Sequence, residues 1–348
     1  MLIGSYLLIK LSMKYKSVLL IGGAGYVGSV ITDSLLASGC RVTCLDLLLY
    51  QNNQCVIPYL LNPNYKFVYG DMCNQDALNR ALDGITDVIL LAGLVSDSIT
   101  KQYPMESEAI NTIGTLYCID QLNHRGLDHV IFMSSCSNYG ILKEDQIADE
   151  GFILSPTSSY AQSKITVEEY LLAKKGKVDY MPTVLRFATA FGLSPRLRLD
   201  LTINEFAYAA ELGNEIVVFN PHAWRPYCHV KDFARLIELV LDAPHYKVAF
   251  EVFNAGGDVN NYTKQSIIDA VVAEVPTANI RYQTQITDPR NYRIDFTKVK
   301  TVLGFEPRFT VEEGIREVIN AIRNHVYDNI DPTSNLYGNY KIKYDIKP

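Results

Sequence analysis

Val18-Leu19-Leu20-Ile21-Gly22-Gly23-Ala24-Gly25-Tyr26-Val27-Gly28 is the stretch whose reading decides the fold of this chain. An apolar run ends in glycines and opens into a segment whose apolar residues, Val27, Val30, Ile31, Leu35 and Leu36, recur at helical spacing. The order is strand, tight turn, helix. Gly22 and Gly25 let backbone amides approach a pyrophosphate seated on the positive end of the helix, and Gly28 lets the helix pack close to the strand. Tyr26 and Val27 open that helix and belong to the same cradle. A second apolar run, Arg41-Val42-Thr43-Cys44-Leu45, ends at Asp46, about 20 residues beyond the glycines, where an acidic side chain accepts from both hydroxyls of an adenosine ribose. A 2′-phosphate beside Asp46 would be repelled, so the pattern reads as NAD rather than NADP.

Working outward, apolar runs alternate with amphipathic stretches up to about residue 187, the signature of βαβ units around a parallel sheet. Strands are expected at Ser17 to Gly22, Arg41 to Asp46, Tyr65 to Gly70, Asp87 to Gly93, His129 to Ser135 and Met181 to Phe187. Helices are expected near 26–38, 75–83, 105–123 and 159–175. The expected fold is therefore α/β, a Rossmann-type doubly wound parallel sheet over residues 13–187. After Phe187 the rhythm becomes irregular, with Gly192, Pro195, Gly213, Pro221 and Pro226 among short segments, and a smaller α/β substrate lobe is expected over 188–325. A helix Asp232 to Leu241 and a strand Phe250 to Asn254, within about 228–254, are expected to rejoin the first lobe. The tail 326–348, rich in Tyr, Asn and Asp, shows little periodicity and is expected to pack loosely or extend.

Composition narrows the partners. With 348 residues, 48% of them hydrophobic, the chain can bury a large core. Thirty-two basic against 38 acidic residues give a net charge of −6, and no basic run with interleaved aromatics tracks a phosphate backbone, so nucleic acid is not an expected partner. The 7 cysteines, at positions 40, 44, 55, 73, 118, 136 and 228, include no C-x-x-C pair, and no histidines stand at metal-ligand spacing. Reduced thiols in the cytoplasm and no metal are expected. The apolar stretch Met1 to Ser12 is too short to span a bilayer and lacks a small-residue cleavage site, so no membrane role is read into it and Met13 is an alternative start.

The reactive pair is Tyr160-Ala161-Gln162-Ser163-Lys164. Tyr160 and Lys164 at i and i+4 share one helix face. A phenol of pKa about 10 is a poor base at neutral pH, but a nearby ammonium, helped by the positive charge of an oxidised nicotinamide, favours the phenolate. Ser135, at the carboxyl end of an expected strand, is placed to hydrogen-bond both the reacting oxygen and the phenol. Ser135, Tyr160 and Lys164 are the candidate catalytic residues.

These motifs together make the chain resemble the extended short-chain dehydrogenase/reductases of the NAD-dependent epimerase/dehydratase family, which modify nucleotide sugars. The resemblance spans roughly residues 15–325. It rests on G-G-x-G-Y-x-G, Asp46, Gly70-Asp71-Met72, Leu91-Ala92-Gly93, Asn111-Thr112-Ile113-Gly114-Thr115, Ser134-Ser135, Tyr160-x-x-x-Lys164 and Arg225-Pro226-Tyr227-Cys228-His229-Val230-Lys231-Asp232. It implies that Asp71 and Met72 flank the adenine, that Leu91, Ala92 and Gly93 line the cofactor, that Asn111 supports the site, that Phe187 borders the nicotinamide and that Lys164 also binds the nicotinamide ribose. Dehydratases of the family resemble one another in carrying Asp-Glu where this chain has Cys136 and Ser137, so 4,6-dehydration is disfavoured.

For the substrate, Ser137, Arg196, Asn204, Arg225 and Arg290 are the candidate contacts, with the arginines directed at a diphosphate or sugar hydroxyls and Asn204 at the nucleotide. Trp224 and His229 are read as packing residues. The Phe191 to Asn204 segment resembles a branch that includes GDP-heptose 4-dehydrogenases, implying polysaccharide biosynthesis. The leading expectation is NAD-dependent oxidation of a nucleotide sugar, at C4. A 4-epimerase that holds its NAD is the first alternative, and a non-catalytic NAD-binding sensor the second. The resemblance also implies a homodimer, formed through 105–123 and 159–175.

Overall fold

The computed structural model describes residues 16–283 and 290–346. The expectations on Met1 to Ser12 and Met13 lie outside them. Seven strands form one sheet in the order β10-β6-β5-β4-β1-β2-β3, with β1 Ser17–Ile21, β2 Arg41–Asp46, β3 Tyr65–Tyr69, β4 Asp87–Leu90, β5 His129–Ser135, β6 Met181–Phe187 and β10 Glu251–Ala255. Every pairing in this sheet is parallel. Such a sheet is buried on both faces, and β1 and residues 129–134 of β5 are buried throughout. The strand order reverses between β1 and β4. At that point the loops leave the sheet in opposite directions and open a crevice beyond the carboxyl ends.

The glycine turn after β1 is sterically determined. Gly22 has φ +88°, and a Cβ there would lie 2.6 Å from the Ala92 amide nitrogen. A Cβ on Gly28 would meet Gly23 Cα at 2.7 Å, so this glycine sets the distance between helix Tyr26–Ala37 and the turn. Strand β4 stops at Leu90, three residues before its expected end, because the amides of Leu91 and Ala92 both donate to Ile21 O and turn the chain off the sheet.

The expected helix over 105–123 is interrupted. Pro104–Ser107 and Thr115–Gln121 are α-helical, but Glu108–Gly114 between them is π-helical. Asn111 sits in that widened turn. Its Oδ1 accepts from Leu94 N at 2.7 Å and its Nδ2 donates to Leu94 O at 2.9 Å, which fixes the loop after β4.

Residues after 187 pack around a core of their own that includes Phe191, Ile203, Phe206, Tyr227, Ile267, Val311, Ile315 and Ile319. Its strands are β7 Thr189–Phe191, β9 Trp224–His229 and β11 Asn261–Thr263 in one small sheet, and β8 Glu215–Phe219 with β12 Asn279–Gln283 in another. Helix Val230–Asp242 packs on Tyr26–Ala37, where Glu238 accepts from Ser34 Oγ at 2.7 Å, and β10 pairs with β6. His229 is fully buried, stacks on Phe309 and is bonded to Glu317 at 2.9 Å, which holds this lobe together rather than facing a ligand.

The tail departs from expectation. Its described residues, 326–346, have no regular secondary structure, yet they are packed: Ile342 and Tyr344 lie against the first lobe's core, Tyr337 lies against the second's, and Asn339 is buried. Side-chain hydrogen bonds, not periodicity, hold it, and these have no local sequence signature.

Candidate active site

A cavity of about 420 Å³ lies beyond the carboxyl ends of β1, β4 and β5, between the lobes. The glycine turn, Asp46, Asp71, Met72, Leu91, Ala92, Gly93, Ser135, Ser137, Tyr160, Lys164 and Phe187 all line it.

One end of the cavity suits an adenosine and its phosphates. Helix Tyr26–Ala37 begins at Gly25 with no side chain capping its first amides, and a Cβ on Gly25 would touch only Gly22 O, at 3.4 Å. That leaves amides open to an anion at the helix start. Asp46 accepts from Ala24 N at 2.9 Å and Leu48 N at 2.8 Å, and burial raises its carboxyl pKa against the pull of those amides and of Arg196. Tyr50 Oη, Asn52 Oδ1 and Arg196 Nε are buried cavity-lining residues' atoms with no hydrogen-bond partner among the described residues. Buried polar atoms of this kind await partners, and a ribose, a phosphate and an adenine provide them. The residues present therefore fit a dinucleotide.

At the other end, Tyr160 and Lys164 come from helix Ser159–Leu172, which is capped by Ser158 Oγ accepting from Ala161 N at 3.3 Å. Ser135 ends β5. Its Oγ lies 2.8 Å from Ser137 Oγ and accepts from Ser137 N at 3.1 Å, and its hydroxyl draws the Tyr160 phenol down against burial. Lys164 Nζ donates to Met133 O at 2.7 Å and lies 5.8 Å from the Tyr160 ring centre. The expected pair of cations, Lys164 and an oxidised nicotinamide, is joined in the structure by a third, Arg198. Burial pushes Tyr160 up to about 12, and the cation that most opposes this is Arg198. Burial also brings Lys164 down to about 8, against the pull of Glu168. In a low-dielectric site both groups resist charge; a further cation lowers this resistance for the phenol, while Glu168 is what sustains the ammonium.

Several candidate contacts sit elsewhere than expected. Asn204 is fully buried, and its amide is spent on Gly192 N, Tyr26 Oη and Arg198 O, so it braces the lobes and does not face a nucleotide. The Tyr26 side chain likewise ties the lobes, donating to Gly192 O at 2.6 Å. Arg196 lies at the Asp46 end, 4.5 Å over the Tyr50 ring, with its Nη2 bonded to the C-terminal segment. The heptose resemblance thus draws no sugar contact from it. Arg198 makes a two-point ion pair with Asp200, at 2.9 and 2.6 Å. Arg225, Arg290 and Tyr292 line the cavity, with Arg225 5.0 Å over the Tyr292 ring and Arg290 3.2 Å from Asp97. Phe187 stacks on Phe233 at 3.7 Å. Sequence reasoning missed Tyr50, Asn52, Asp97, Asn339 and Tyr344 as lining residues, because Asp97 opens a short helix and the others lie in aperiodic segments, none with a local signature of the cleft.

At the opposite end of β5, Asp128, His129 and His245 come together with ligand atoms within 4.8 Å of one another. Lys16 Nζ already stands there, 3.2 Å from Asp128 and 3.0 Å from Asp87, as the balancing cation.

Residues 18–256 match the model of the NAD dependent epimerase/dehydratase family. A dTDP-glucose 4,6-dehydratase of Streptomyces niveus is 26% identical over 319 residues, 88% of this chain and 93% of the relative. A UDP-glucose 4-epimerase of Bacillus subtilis is 25% identical over 321 residues, 85% of this chain and 94% of the relative. The fold is that of a UDP-glucuronic acid 4-epimerase from Bacillus cereus, solved with UDP-glucuronic acid and NAD, with a TM-score of 0.80 at 21% identity over 89% of this chain and 99% of the other.

Proposed function

The chain belongs to the NAD-dependent epimerase/dehydratase family, and on that premise we propose that it oxidises a nucleotide-diphosphate sugar at a single carbinol carbon, C4. One observation carries this reading: Ser135, Tyr160 and Lys164 converge on one wall of the cavity whose far end fits a dinucleotide. When bound, NAD supplies a hydride acceptor and a positive charge. Tyr160 takes the proton from the sugar hydroxyl, Ser135 hydrogen-bonds the same oxygen, and Lys164, 5.8 Å from the phenol ring centre, joins Arg198 in favouring its ionised form. Arg225 and Arg290 are placed to meet the diphosphate.

Dehydration across C5 and C6 is not supported. It needs an acid and a second base, which the resemblance to the family's dehydratases implies at the positions of Cys136 and Ser137. The Cys136 thiol is turned into the core, donating to Arg186 O at 3.0 Å, and Ser137 carries only a hydroxyl. Asp97 and Asp200, which line the cavity, are each held by an arginine. The enclosed cleft favours a second reading, in which the keto sugar turns and takes its hydride back, giving the C4 epimer. We also infer a homodimer through the faces of 104–121 and 159–172, where Met105 and Ile113 are exposed.

Incubation with UDP-, dTDP- and GDP-linked sugars deuterated at C4 tests the reading. A dehydrogenase accumulates reduced nicotinamide and a 4-keto sugar. An epimerase inverts C4 and keeps the label, with no net reduced nicotinamide. A 4-keto-6-deoxy product, or no reaction with any sugar, overturns the proposal.

The phenol also sets a pH dependence. In protein freed of nucleotide, the ultraviolet difference between wild type and Tyr160→Phe is expected to titrate near about 12. Oxidised NAD brings a cation beside the phenolate, so its addition moves this midpoint down and the oxidation rate rises with pH through the new value. A midpoint that NAD leaves in place counts against Tyr160 as the base.

A further inference from the structure

The C-terminal segment 335–344 crosses the Asp46 end of the cleft and is bonded to both lobes. On the second lobe, Leu199 N donates to Tyr337 O at 2.7 Å. Arg196 Nη2 donates to Asn335 O at 2.9 Å, Gly338 O at 2.8 Å and Asn339 Oδ1 at 2.9 Å. On the first lobe, Asn339 Nδ2 donates to Val95 O at 2.9 Å, in the loop after β4, and Tyr344 Oη donates to Asp71 Oδ2 at 2.9 Å. Between these anchors the segment staples itself: Lys341 N donates to Asn335 Oδ1 at 3.0 Å and Asn335 Nδ2 to Lys341 O at 2.7 Å. Tail segments are ordered only where they are tied down, and this one is tied by hydrogen bonds that end at cofactor-cleft residues.

Asn339 and Tyr344 line the same cavity as Gly25, Asp46 and Asp71. Arg196, 3% exposed, also lines it, and its Nε is buried with no hydrogen-bond partner. A buried guanidinium with one donor held back from the surrounding protein is completed by an anionic or hydroxyl oxygen in the cavity.

We propose that Arg196, Asn339 and Tyr344 form a strap over the adenosine half of the dinucleotide, Arg196 donating to a ribose or phosphate oxygen, so that the cofactor stays on the enzyme between turnovers. The proposal rests on NAD occupying this cleft and goes beyond the C4 reading: a retained reduced cofactor is still present when the keto sugar turns, which selects epimerisation over release. Dissociation then requires the strap to let go of Asp71 and Val95. One hydrogen bond contributes about 1 kcal/mol, so losing one speeds release by roughly 5- to 10-fold.

The test reads binding directly, by the fluorescence of reduced nicotinamide on dilution and by retention of NAD through gel filtration. Tyr344→Phe, which removes only the hydroxyl, and Asn339→Ala are each expected to speed release about 5- to 10-fold, and truncation before Asn335 about 100-fold, as two or more bonds are lost. Val326→Ser, at a position 62% exposed, is the control and leaves release unchanged. Because truncation bares Arg196 and Leu199 and can unfold the protein, amide exchange on the intact chain gives a second measurement: NAD is expected to slow exchange across 335–344. Release within twofold of wild type in the point variants, or exchange that NAD leaves alone or speeds, overturns the strap. These readouts need no sugar, so failure of the strap and failure of the C4 reading are separable.

Discussion

Tyr160→Phe is expected to lower kcat by about 10²- to 10⁴-fold while NAD affinity changes by less than about threefold, because the substitution removes a proton-transfer group and little else. The ring stays, and so does its packing against a helix face that carries Lys164 one turn on. No neighbour is poised to replace the lost oxygen. Ser135 Oγ is bonded to Ser137, and its hydroxyl is a far weaker base than a phenolate. Lys164 Nζ is committed to Met133 O. Single-turnover measurement of nicotinamide reduction, with NAD binding measured separately, splits the two effects. Loss of the chemical step with retained binding supports the enzymatic reading over a sensor that binds NAD without turnover. A variant within about tenfold of wild type removes Tyr160 from the chemistry.

The parts of this site legible in the sequence are those written by local rules. β2, β5 and β6 begin and end where the apolar runs place them, because a parallel strand buried on both faces is a continuous apolar run. Gly22 and Gly28 are legible because no other residue fits a φ of +88° or a Cβ distance of 2.7 Å. Tyr160 and Lys164 are legible because one helical turn joins them. The second lobe is legible only as an irregularity. Whether Arg196 faces a sugar or the Asp46 end depends on where residues 335–339 lie, more than a hundred positions later, and no spacing near Arg196 carries that information. Asn204 is the same case: the fork it spends on Gly192, Tyr26 and Arg198 closes only when the lobes meet. The π-helical turn at Glu108–Gly114 is set by Asn111 reaching back to Leu94, again a tertiary demand on a sequence that reads as plain helix.

Glu168→Ala is expected to lower the free energy of unfolding by about 3–5 kcal/mol, the cost of removing one partner from a buried ion pair. Glu168 is 1% exposed and Arg186 5%, and the pair lies directly under the reactive residues, since 160, 164 and 168 follow one another on a single helix face. Arg186 donates to Glu168 from Nε at 3.0 Å and from Nη2 at 2.7 Å, Asn138 Nδ2 donates at 2.8 Å, and Ser134 Oγ donates as well. Arg186 Nη1 continues the network to Tyr139 Oη at 2.9 Å, which donates in turn to Asn254 Oδ1 at 2.7 Å, joining β5, β6 and β10. Without the carboxylate, an arginine charge is left in a low-dielectric interior among donors that have lost their acceptor. Glu168→Gln, which keeps the volume and one acceptor oxygen, isolates the charge. The same carboxylate raises the Lys164 pKa against burial, so its removal takes Lys164 further below about 8 and reduces the ammonium present at neutral pH. The folded value already lies below the ordinary 10.5, so the unfolded chain binds more protons in the interval and stability rises with pH across it; in Glu168→Gln that interval opens at lower pH. Urea unfolding of both variants from neutral to alkaline pH, beside their pH–rate profiles, reads the two consequences together. A loss under about 1 kcal/mol with an unmoved rate profile would mean that water, not protein, satisfies Arg186, and that the charge under the phenol is set elsewhere.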